Sequence, residues 1–379
     1  MGIGRGSLGG MSVSRYFDDA YRGRRVLVTG HTGFKGSWLA LWLGELGAKV
    51  AGYSLDIPTQ PSNFEAQGLA TLLDHHFGDI RDRTAFARVV DEFRPEVIFH
   101  LAAQSLVQRS YGDPALTFET NTMGMVNVLE CIRTRPWIEA AVLITSDKAY
   151  RNEEWCWGYK ETDALGGHDP YSSSKGCADL IAHSYYESFL KHTPTRMAVT
   201  RAGNVIGGGD WAADRIVPDC IRAWTERTAV TVRSPQATRP WQHVLEPLSG
   251  YLWLGARLLA EQSGLDGEAF NFGPDSTVNQ TVAQLLEAMV KRWPGVAWQV
   301  PAGLEKGGHE AMLLKLSCDK ALFHLSWRAV LQFEETVEFT VNWYRNWLER
   351  RTAVRAYSCE QITRYGQLAR QRGLTWASA

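Results

Sequence analysis

The strongest constraint on the fold of this chain is a regular alternation of short apolar strands with amphipathic helices. Residues 25–30 read RVLVTG, a β-branched run that ends in glycine. From Leu39 to Leu46, apolar side chains recur with the spacing of one helix face. Because strands that alternate with such helices form βαβ units, the sequence predicts an α/β fold built on a doubly wound parallel sheet.

The alternation continues to about residue 204 and then breaks. Further strands are predicted in AKVAGYSL, FGDI, EVIFHLAA, AAVLITS and RMAVTRAGN, and further helices over about 85–93, 121–132 and 171–190. A glycine triplet at 207–209 and several prolines then indicate a smaller irregular lobe, although 241–261 again read as a helix and AFNFG as a strand.

These changes of pattern predict the organisation of the chain. We expect a flexible leader, a main domain in two pieces, a smaller interleaved C-terminal lobe and a C-terminal tail. Their predicted ranges are 1–21 for the leader, 22–204 with about 239–273 for the main domain, 205–238 with 274–350 for the lobe, and 351–379 for the tail.

Composition excludes several classes of protein. The chain carries 40 Lys+Arg against 41 Asp+Glu, so a nucleic-acid partner, which usually requires a basic excess, is not expected. No apolar run is long enough to span a membrane, and the N-terminus lacks the apolar segment of a secretory signal. The six cysteines are scattered, which favours free thiols in a reducing cytoplasm over disulfides. No metal site is expected, and His75-His76 are interpreted as surface loop residues.

A glycine-rich turn joins the first predicted strand to the first helix. Gly30, Gly33 and Gly36 follow a GxxGxxG spacing. Glycines allow a phosphate to approach the backbone N–H groups at a helix N-terminus, where the helix dipole favours negative charge. This position predicts the pyrophosphate site of a Rossmann-type fold, with Phe34 also beside the cofactor; a turn that only packs tightly is the alternative.

Two acidic residues are candidates for contacts with the adenosine half of that cofactor. Asp56 lies 20 residues beyond Gly36, where a carboxylate would bond the ribose diol. Since a carboxylate repels a 2′-phosphate, NAD is favoured over NADP, a preference that the adjacent Lys35 weakens slightly. Asp79 and Ile80 follow the third predicted strand and are expected at the adenine. Both acids can alternatively serve only to cap turns.

A tyrosine and a lysine predict the catalytic centre. Tyr171 and Lys175 occur in YSSSK, four residues apart and therefore on one helix face. A free tyrosine titrates near pH ~10, and a nearby cation favours the phenolate and makes the tyrosine a better base. Together with the upstream glycine turn and with Thr145-Ser146-Asp147 at the end of an intervening strand, this pair predicts chemistry at a substrate hydroxyl.

Seven segments carry a resemblance to a known family: VTGHTGFKGSW, GDIRD, HLAAQSLV, ITSDKAY, DPYSSSKG, RAGNVIGGGDWA and RPWQHVLEPLSGY. Over about residues 22–350 the chain resembles the extended short-chain dehydrogenases/reductases that modify nucleotide sugars, and within them the 4,6-dehydratases that act on CDP-glucose. The resemblance implies an NAD-dependent hydro-lyase of deoxysugar and O-antigen (lipopolysaccharide) biosynthesis. Such an enzyme moves hydride from C4 to NAD, removes water across C5 and C6, and returns the hydride to C6.

The resemblance also implies catalytic roles. Tyr171 would take the proton from the sugar O4, while Lys175 would hold the nicotinamide ribose, and the hydroxyl of Thr145 or Ser146 would bond O4. The segment HLAAQSLV places Ala102 and Gln104 beside the cofactor, and Thr145, Tyr171 and Lys175 also belong to the expected cofactor-binding set.

The pair Asp147-Lys148 separates this chain from other branches. Relatives that act on dTDP- and GDP-sugars have Asp-Glu or a similar pair there, whereas lysine at the second position agrees with the CDP-glucose branch. The resemblance assigns Asp147 as the acid at C6 and Lys148 as the base at C5. The alternative is that Asp147 caps a turn and that Lys148 is a solvated charge.

The substrate side of the site is inferred in the same way. Asn204, Arg215 and Arg239 are expected at the substrate pyrophosphate, and His309 with Glu310 at the nucleoside ribose. The segment that contains Trp155, Trp157 and Tyr159 is expected either to cover the sugar as an aromatic lid or to pack in the core, and Trp211 and Trp241 are further candidates to line the sugar site.

Oligomeric state and competing functions complete the expectations. The apolar helices at about 105–132 and 171–190 correspond to those that pair in this family, which predicts a homodimer or tetramer assembled through a four-helix bundle. The alternative functions are a 4,6-dehydratase for another nucleotide sugar, a 4-epimerase, and a non-catalytic NAD-binding protein. Asp147-Lys148 argues against the epimerase, and Tyr171 with Lys175 argues against the non-catalytic protein.

Overall fold

The computed structural model describes residues 16–232, 234–275, 278–300, 314–350 and 354–378. Within these ranges the strands are β1 (Arg25–Thr29), β2 (Lys49–Ser54), β3 (Asp74–Phe77), β4 (Val97–His100), β5 (Ala140–Ile144), β6 (Arg196–Ala202), β7 (Val205–Ile206), β8 (Val230–Thr231), β9 (Thr238–Arg239), β10 (Gln242–His243), β11 (Ala269–Phe272), β12 (Gln280–Thr281) and β13 (Trp298–Gln299).

The α-helices are α1 (Phe34–Glu45), α2 (Asn63–Ala66), α3 (Arg83–Phe93), α4 (Val107–Gly112), α5 (Pro114–Phe118), α6 (Gly124–Arg133), α7 (Pro170–Tyr185), α8 (Ile216–Thr225), α9 (Leu245–Leu259), α10 (Val282–Arg292), α11 (Asp319–Leu325), α12 (Phe333–Glu349) and α13 (Val354–Gln371). A π-helical turn over Glu119–Met123 joins α5 to α6, and another over Tyr186–Leu190 extends α7. Among the described residues, none of the helices combines the length and the apolar character needed to cross a lipid bilayer.

A seven-stranded parallel sheet forms the centre of the molecule, in the order β11-β6-β5-β4-β1-β2-β3. This confirms the predicted doubly wound α/β fold. From β1, the chain first builds the sheet in one direction through β2 and β3, and then in the other through β4, β5 and β6. The carboxyl ends of β1 and β4 therefore lie at the topological switch point, where open α/β sheets bind their ligands.

Helices cover both faces of the sheet, which explains why its inner strands are apolar throughout. Every residue of β5, for example, is buried. One face packs against α3, α6 and α7, and the other against α1 and α9, with α13 packed on α1 and α12 on α13. The strand β11 lies beside β6, so residues 269–272 complete the main sheet after the chain has passed through the smaller lobe.

The third strand differs from the prediction. It spans Asp74–Phe77 rather than FGDI, so His75 and His76 belong to a strand and not to a loop. The strand lies at the edge of the sheet and is half exposed, so it lacks the apolar run that marks the inner strands. Its position is fixed by pairing with β2 and by a 2.7 Å hydrogen bond between the His31 Nε2 and His75 Nδ1 atoms.

The smaller lobe is built from short pairs of strands: β7 with β10, β9 with β12, and β8 with β13. The helix predicted over 241–261 starts only at Leu245, because Gln242–His243 pair with Val205–Ile206 as β10 and β7. The β7–β10 pair thus joins the start of α9 to the segment that follows β6.

The two ends of the described chain meet in one aromatic cluster. Phe17 stacks on Trp376 with ring centroids 5.0 Å apart, and Trp376 also stacks on Tyr365 at 5.7 Å. Trp42 of α1 contacts all three rings. Residues 16–21 and 354–378 are therefore packed parts of the fold rather than a flexible leader and an appended tail, because their large aromatic side chains are buried against α1.

A buried carboxylate lies next to this cluster. The Glu246 carboxylate accepts hydrogen bonds from the backbone N–H groups of Val330 and Leu331, at 2.9 and 2.6 Å, and from the Tyr365 hydroxyl at 2.8 Å. Burial raises the pKa of Glu246 to about 7, against which these donors act. We call Phe17, Trp42, Glu246, Tyr365 and Trp376 the terminal seam.

Candidate active site

The glycine-rich turn has the geometry of a phosphate-binding loop. Gly30 has a φ of +74°, and a Cβ atom there would lie 2.8 Å from the backbone nitrogen of Ala102. A Cβ atom on Gly36 would lie 2.1 Å from the Gly30 carbonyl oxygen, so both positions require glycine. Gly33 forms the N-cap of α1 without a side-chain cap. The turn and the start of α1, at Phe34, therefore fit the pyrophosphate of a dinucleotide.

A chain of hydrogen bonds connects this turn to the end of β2. The Ser54 hydroxyl lies 2.8 Å from His31 Nδ1 and accepts from the Thr32 backbone N–H at 3.3 Å. The Thr32 hydroxyl donates to the Asp56 carbonyl oxygen at 2.6 Å. Asp56 is exposed just beyond β2. Its main chain is thus anchored to the phosphate loop, in the place predicted for a ribose-binding carboxylate.

Asp79 and Ile80 lie in the turn between β3 and α3. The Asp79 carboxylate accepts bonds from the Arg81 backbone N–H at 2.9 Å and from its guanidinium at 2.7 Å. Hydrogen bonding to Arg81 holds the pKa of Asp79 below its usual range. Ile80 is buried and its carbonyl accepts from Asn127 at 2.9 Å. Asp79, which was predicted to lie at the adenine, therefore also stabilises the turn between β3 and α3.

Ala102 and Gln104 follow β4, opposite the phosphate loop. The Ala102 backbone packs against Gly30. The buried Gln104 side chain bonds the Leu106 backbone through both its oxygen, at 2.7 Å, and its nitrogen, at 3.0 Å, and also donates to the Thr117 hydroxyl. The Gln104 side chain thus fixes the loop that follows β4, on the side where the cofactor is expected, by bonding Leu106 and Thr117.

Tyr171 lies in the first turn of α7, which Asp169 caps through a 2.9 Å bond to the Ser172 N–H. The Tyr171 phenol is almost fully buried and lies beside the Ser146 hydroxyl. Burial raises the pKa of Tyr171 to about 12, while the Ser146 hydroxyl and the Arg215 charge lower it. In the protein without cofactor, burial therefore outweighs the predicted effect of a cation on the phenol.

Lys175 is buried one turn further along α7, and its ammonium donates to the Ile144 carbonyl oxygen at 3.4 Å. Burial lowers the pKa of Lys175 to about 8, and the charge of Asp179 opposes that shift. The structure thus brings the lysine to the carboxyl end of β5, beside the turn that carries Ser146 and Asp147.

The turn Asp147–Ala149 holds the two remaining catalytic candidates. Asp147 is buried and accepts from the Ser146 hydroxyl at 3.0 Å. Burial raises the pKa of Asp147, which suits a proton donor, while Lys148 and Lys35 act in the opposite direction. Lys148 is partly exposed, and its backbone N–H donates to the Ser146 hydroxyl at 3.2 Å.

The structure separates the two hydroxyls that the sequence left as alternatives for O4. The Thr145 hydroxyl donates to the Asp179 carboxylate at 2.9 Å and lies 3.2 Å from the Thr200 carbonyl oxygen. Ser146, not Thr145, faces the Tyr171 phenol. Thr145 is therefore engaged by the protein interior, whereas Ser146 lies on the side of Tyr171 and Asp147.

Arg215 lies at the N-cap of α8 and faces the catalytic centre. Its guanidinium pairs with Asp210 at 2.9 Å, and its charge acts on Tyr171. The Asp210 carbonyl in turn accepts from the Tyr344 hydroxyl at 2.6 Å. The lobe thereby holds a cation whose charge acts on the Tyr171 phenol.

The other predicted substrate residues lie around Asp147. Gly203, next to Asn204, is so close that a Cβ atom there would be 3.0 Å from the Asp147 carboxylate and 3.9 Å from the Pro240 ring. Gly203 therefore lies against the Asp147 carboxylate, and Asn204 and Arg239 are the chain neighbours of Gly203 and Pro240. His309 and Glu310 lie outside the described residues.

The aromatic residues considered for the sugar site divide into two groups. Tyr159, Trp211 and Trp241 are buried in the protein interior. Trp155 stacks beside Trp157 with centroids 5.4 Å apart, and Trp157 is 59% exposed. The exposed end of the segment thus remains available to a substrate.

Sequence reasoning gave no catalytic part to Lys35, Asp179 or Arg201. The Lys35 ammonium lies 5.9 Å from the centroid of the Tyr251 ring, and burial lowers its pKa to about 8, opposed by Asp147. The position of Lys35 inside the phosphate loop was a sequence signal for a role in the site. The spacing of Asp179, four residues after Lys175, was a second signal, since it places both side chains on one helix face.

Comparisons with known proteins identify the family of this chain. The model of the GDP-mannose 4,6 dehydratase family matches residues 27–340. The chain is 48% identical over 333 residues to a CDP-glucose 4,6-dehydratase from Salmonella typhimurium, which covers 86% of this chain and 92% of that protein.

Two solved structures share the fold. A UDP-glucose 4-epimerase from Stenotrophomonas maltophila has a TM-score of 0.74 at 20% identity and covers 86% of this chain and 99% of its own. A dTDP-glucose 4,6-dehydratase from Bacillus anthracis, solved in complex with NAD, has a TM-score of 0.69 at 22% identity, with 88% and 100% covered. The motifs, the fold and the family match agree: this chain belongs to the GDP-mannose 4,6 dehydratase family, among the extended short-chain dehydrogenases/reductases.

Proposed function

We propose that this chain is an NAD-dependent hydro-lyase that converts CDP-D-glucose to CDP-4-dehydro-6-deoxy-D-glucose. The observation that carries the proposal is the convergence of Tyr171, Ser146 and Asp147 at the end of β5, in a chain 48% identical to a CDP-glucose 4,6-dehydratase. A phenol, a hydroxyl and a buried carboxyl in one place supply the base and the acid that the dehydration of a sugar needs.

NAD fits the glycine turn and supplies a hydride acceptor that later returns the hydride. The residues that would hold it are Gly30, Gly33, Phe34, Gly36, Asp56, Asp79, Ile80, Ala102, Gln104, Thr145, Tyr171 and Lys175. Within this set, Gly30 and Gly36 admit the pyrophosphate because no Cβ fits there. Lys175 is placed to hold the nicotinamide ribose, and the hydroxyl of Thr145 fixes the strand end.

The first step takes place at C4 of the sugar. Tyr171 accepts the O4 proton, and Ser146 bonds both the phenol and O4. Because burial raises the pKa of the Tyr171 phenol even with the Arg215 charge acting on it, the step requires further positive charge near the ring, which an oxidised nicotinamide bound there would supply.

The second step removes water across C5 and C6. A ketone at C4 makes the C5 proton acidic, and Lys148 removes it. Asp147 donates a proton to the C6 hydroxyl, which leaves as water with the electron pair of the C6–O bond, while the electron pair of the broken C5–H bond forms the C5=C6 double bond. The raised pKa of Asp147 supports its part as the acid. Lys148 is only partly exposed, which supports a lysine base held at the turn.

The substrate diphosphate is held by local cations, since the net charge of the chain is only −1. We assign Asn204, Arg215 and Arg239 to the pyrophosphate, with His309 and Glu310 at the nucleoside ribose. The contact of Gly203, the residue before Asn204, with the Asp147 carboxylate supports this assignment.

The same proposal extends to assembly and location. Exposed apolar side chains on the helices predicted to pair, Tyr111, Met123, Leu180 and Phe189, support a homodimer or tetramer built through a four-helix bundle. We place the reaction in the cytoplasm, in deoxysugar synthesis for the lipopolysaccharide O-antigen. The free state of all six cysteines agrees with a reducing compartment.

The purified protein with NAD should be incubated separately with CDP-, dTDP-, UDP- and GDP-glucose. The expected result is a 4-keto-6-deoxy product from CDP-glucose, detected by its near-ultraviolet absorbance in alkali. Turnover of another nucleotide alone would contradict the base preference. A 4-epimer without loss of water would contradict dehydration, and binding without turnover would contradict an enzymatic role.

A further inference from the structure

A buried ion pair lies beneath the catalytic centre and is not used in the steps above. The Nε and Nη2 atoms of Arg201 donate to the Asp179 carboxylate at 2.9 and 2.7 Å, and both residues are at least 95% buried. Such bidentate pairs fix the orientation of both groups. Since apolar residues can often replace a buried pair without loss of stability, its presence here indicates a role beyond stability.

The same carboxylate anchors the strand end that carries the catalytic turn. Asp179 Oδ2 accepts the Thr145 hydroxyl at 2.9 Å. Thr145 is followed directly by Ser146 and Asp147, so a shift of Thr145 would displace both. On its other side, Arg201 donates to the Tyr150 hydroxyl at 2.8 Å, which anchors the pair in turn.

Asp179 also bears on Lys175. The two residues are four apart on α7, on the same helix face, and both are buried. The other charged or titratable groups that interact with the ammonium are His100 at the end of β4 and Lys35 on α1, and Tyr171 lies one turn earlier on the same helix. Lys35 is a like charge, Arg201 is a second one that pairs directly with Asp179, and burial keeps His100 neutral by lowering its pKa to about 3. Asp179 supplies the negative charge that opposes them.

We propose that Asp179 is a positioning residue: it keeps the Lys175 ammonium charged and, through the Thr145 hydroxyl, fixes the turn that presents Ser146 and Asp147. The inference deepens the proposed function and rests on it wherever turnover is the readout. It adds Asp179, with Arg201 as its counterion, to the parts of the protein on which the reaction depends.

The charge half of the proposal is tested by the pH dependence of kcat/KM in Asp179→Asn and Asp179→Glu. Loss of an opposing charge should move the alkaline limb, which reports Lys175, to lower pH by about one unit or more. Asp179→Glu keeps the charge, so its alkaline limb should lie close to that of the wild type. A loss of activity that is equal at every pH, with the limb unmoved, would overturn this half.

A second readout does not depend on turnover. Protein labelled with ¹³C at lysine Cε is titrated by NMR, and the Lys175 signal is assigned by its disappearance in Lys175→Met. The midpoint should fall in Asp179→Asn, whereas equal midpoints would contradict the proposal. If the wild-type protein turns over no nucleotide sugar, the proposed function fails while this titration still decides the charge effect.

Asp179→Asn leaves the Arg201 guanidinium buried without its partner, so the double variant Asp179→Asn/Arg201→Met is included. It removes both charges, and the Lys175 midpoint is measured in the same way. Here Lys175 loses one opposing and one like charge, so the midpoint should return toward the wild-type value. A midpoint as low as in the single variant would show that Arg201 does not act as the counterion.

The positional half is tested by Thr145→Val, which keeps the ion pair and removes the hydroxyl bond. We expect kcat to fall about tenfold, the worth of one well-placed hydrogen bond, with the alkaline limb unchanged. Thr145→Ser retains the donor and should recover most of kcat. Full kcat in Thr145→Val would overturn this half.

Discussion

Two buried carboxylates, Asp179 and Glu246, occupy opposite kinds of environment in this protein. Asp179 faces a guanidinium at 2.7 Å. Glu246 has three hydrogen-bond donors, all of them uncharged, and the charge of Arg372 acts on it only at longer range. Both side chains are almost fully buried, so the contrast lies in the partners and not in solvent access.

The contrast separates a region organised for chemistry from one organised for packing. We call Thr145, Tyr171, Lys175, Asp179 and Arg201 the catalytic floor. There the Asp179–Arg201 ion pair lies next to a second cation, the Lys175 ammonium. At the terminal seam, burial without a paired cation raises the pKa of Glu246 to about 7. The floor should therefore govern turnover, while the seam should govern stability and its dependence on pH.

The largest effect is expected from Tyr171→Phe on the floor. Loss of the phenolic oxygen removes the proposed base, so kcat should fall by about 10³-fold or more while the melting temperature stays close to that of the wild type. Initial rates with CDP-glucose and thermal unfolding measure the two quantities. Tyr185→Phe, on the same helix, is the matched control and should keep its rate. Retention of more than a tenth of kcat in Tyr171→Phe would contradict the assignment.

At the seam the expected effects are reversed. Trp376→Ala removes a fully buried ring that contacts Phe17, Trp42 and Tyr365, and should lower the free energy of unfolding by about 3–5 kcal/mol. Denaturant unfolding provides the measurement, and kcat of the folded fraction at low temperature should change little. The comparison of regions would break down if Trp376→Ala unfolded at the wild-type denaturant concentration.

Glu246 should impose a pH dependence on stability. Its folded-state pKa of about 7 exceeds the ordinary glutamate value, so the folded protein binds the extra proton between about pH 4.5 and 7. Its contribution to the free energy of unfolding should fall across that window by up to roughly 3 kcal/mol as pH rises, and stay constant above it.

Glu246→Gln isolates this term. Burial lowers the pKa of His31, His100 and His243 to about 3, so these residues act in the opposite sense and cost stability as pH falls below about 6.5. They are present in both proteins, so the difference between wild type and Glu246→Gln at each pH reports Glu246 alone. Parallel stability curves from pH 5 to 8 would exclude an elevated Glu246 pKa.

The smallest effect is expected from Trp157→Ala. Trp157 is 59% exposed beside Trp155, so its removal should leave stability unchanged. If this ring covers the bound sugar, KM for CDP-glucose should rise about 2–10-fold with little change in kcat, the worth of one aromatic contact. An unaltered KM would assign Trp157 to the surface alone.

What the sequence predicted well depends on local pattern. The inner strands and the phosphate loop follow from apolar runs and from glycines that sterics require at 30 and 36. The edge strand was misplaced because the apolar residues of Asp74–Phe77 follow neither the strand nor the helix period, and pairing with β2 sets its position. Hydrophobic periodicity reflects burial, and this edge strand is only partly buried.

The features that the sequence did not predict depend on contacts between residues that are distant in sequence. Thr145 and Ser146 are adjacent hydroxyls with similar chemistry, and only the position of Asp179 on another element separates their tasks. The leader and the tail looked peripheral because the aromatic partners of Phe17 and Trp376 come from distant parts of the chain. No local pattern encodes such contacts.

The contact between Phe17 and Trp376 also has a consequence for the order of folding. It joins positions near the two ends of the chain across the back of α1, the helix whose first turn forms the phosphate loop. Contacts of such long sequence separation form late, because a large loop must first be closed. The packing of α1 would thus be completed only when residues 354–378 are in place. We expect the packing behind the phosphate loop to form late in folding, although the loop itself is built from residues that are close together in sequence.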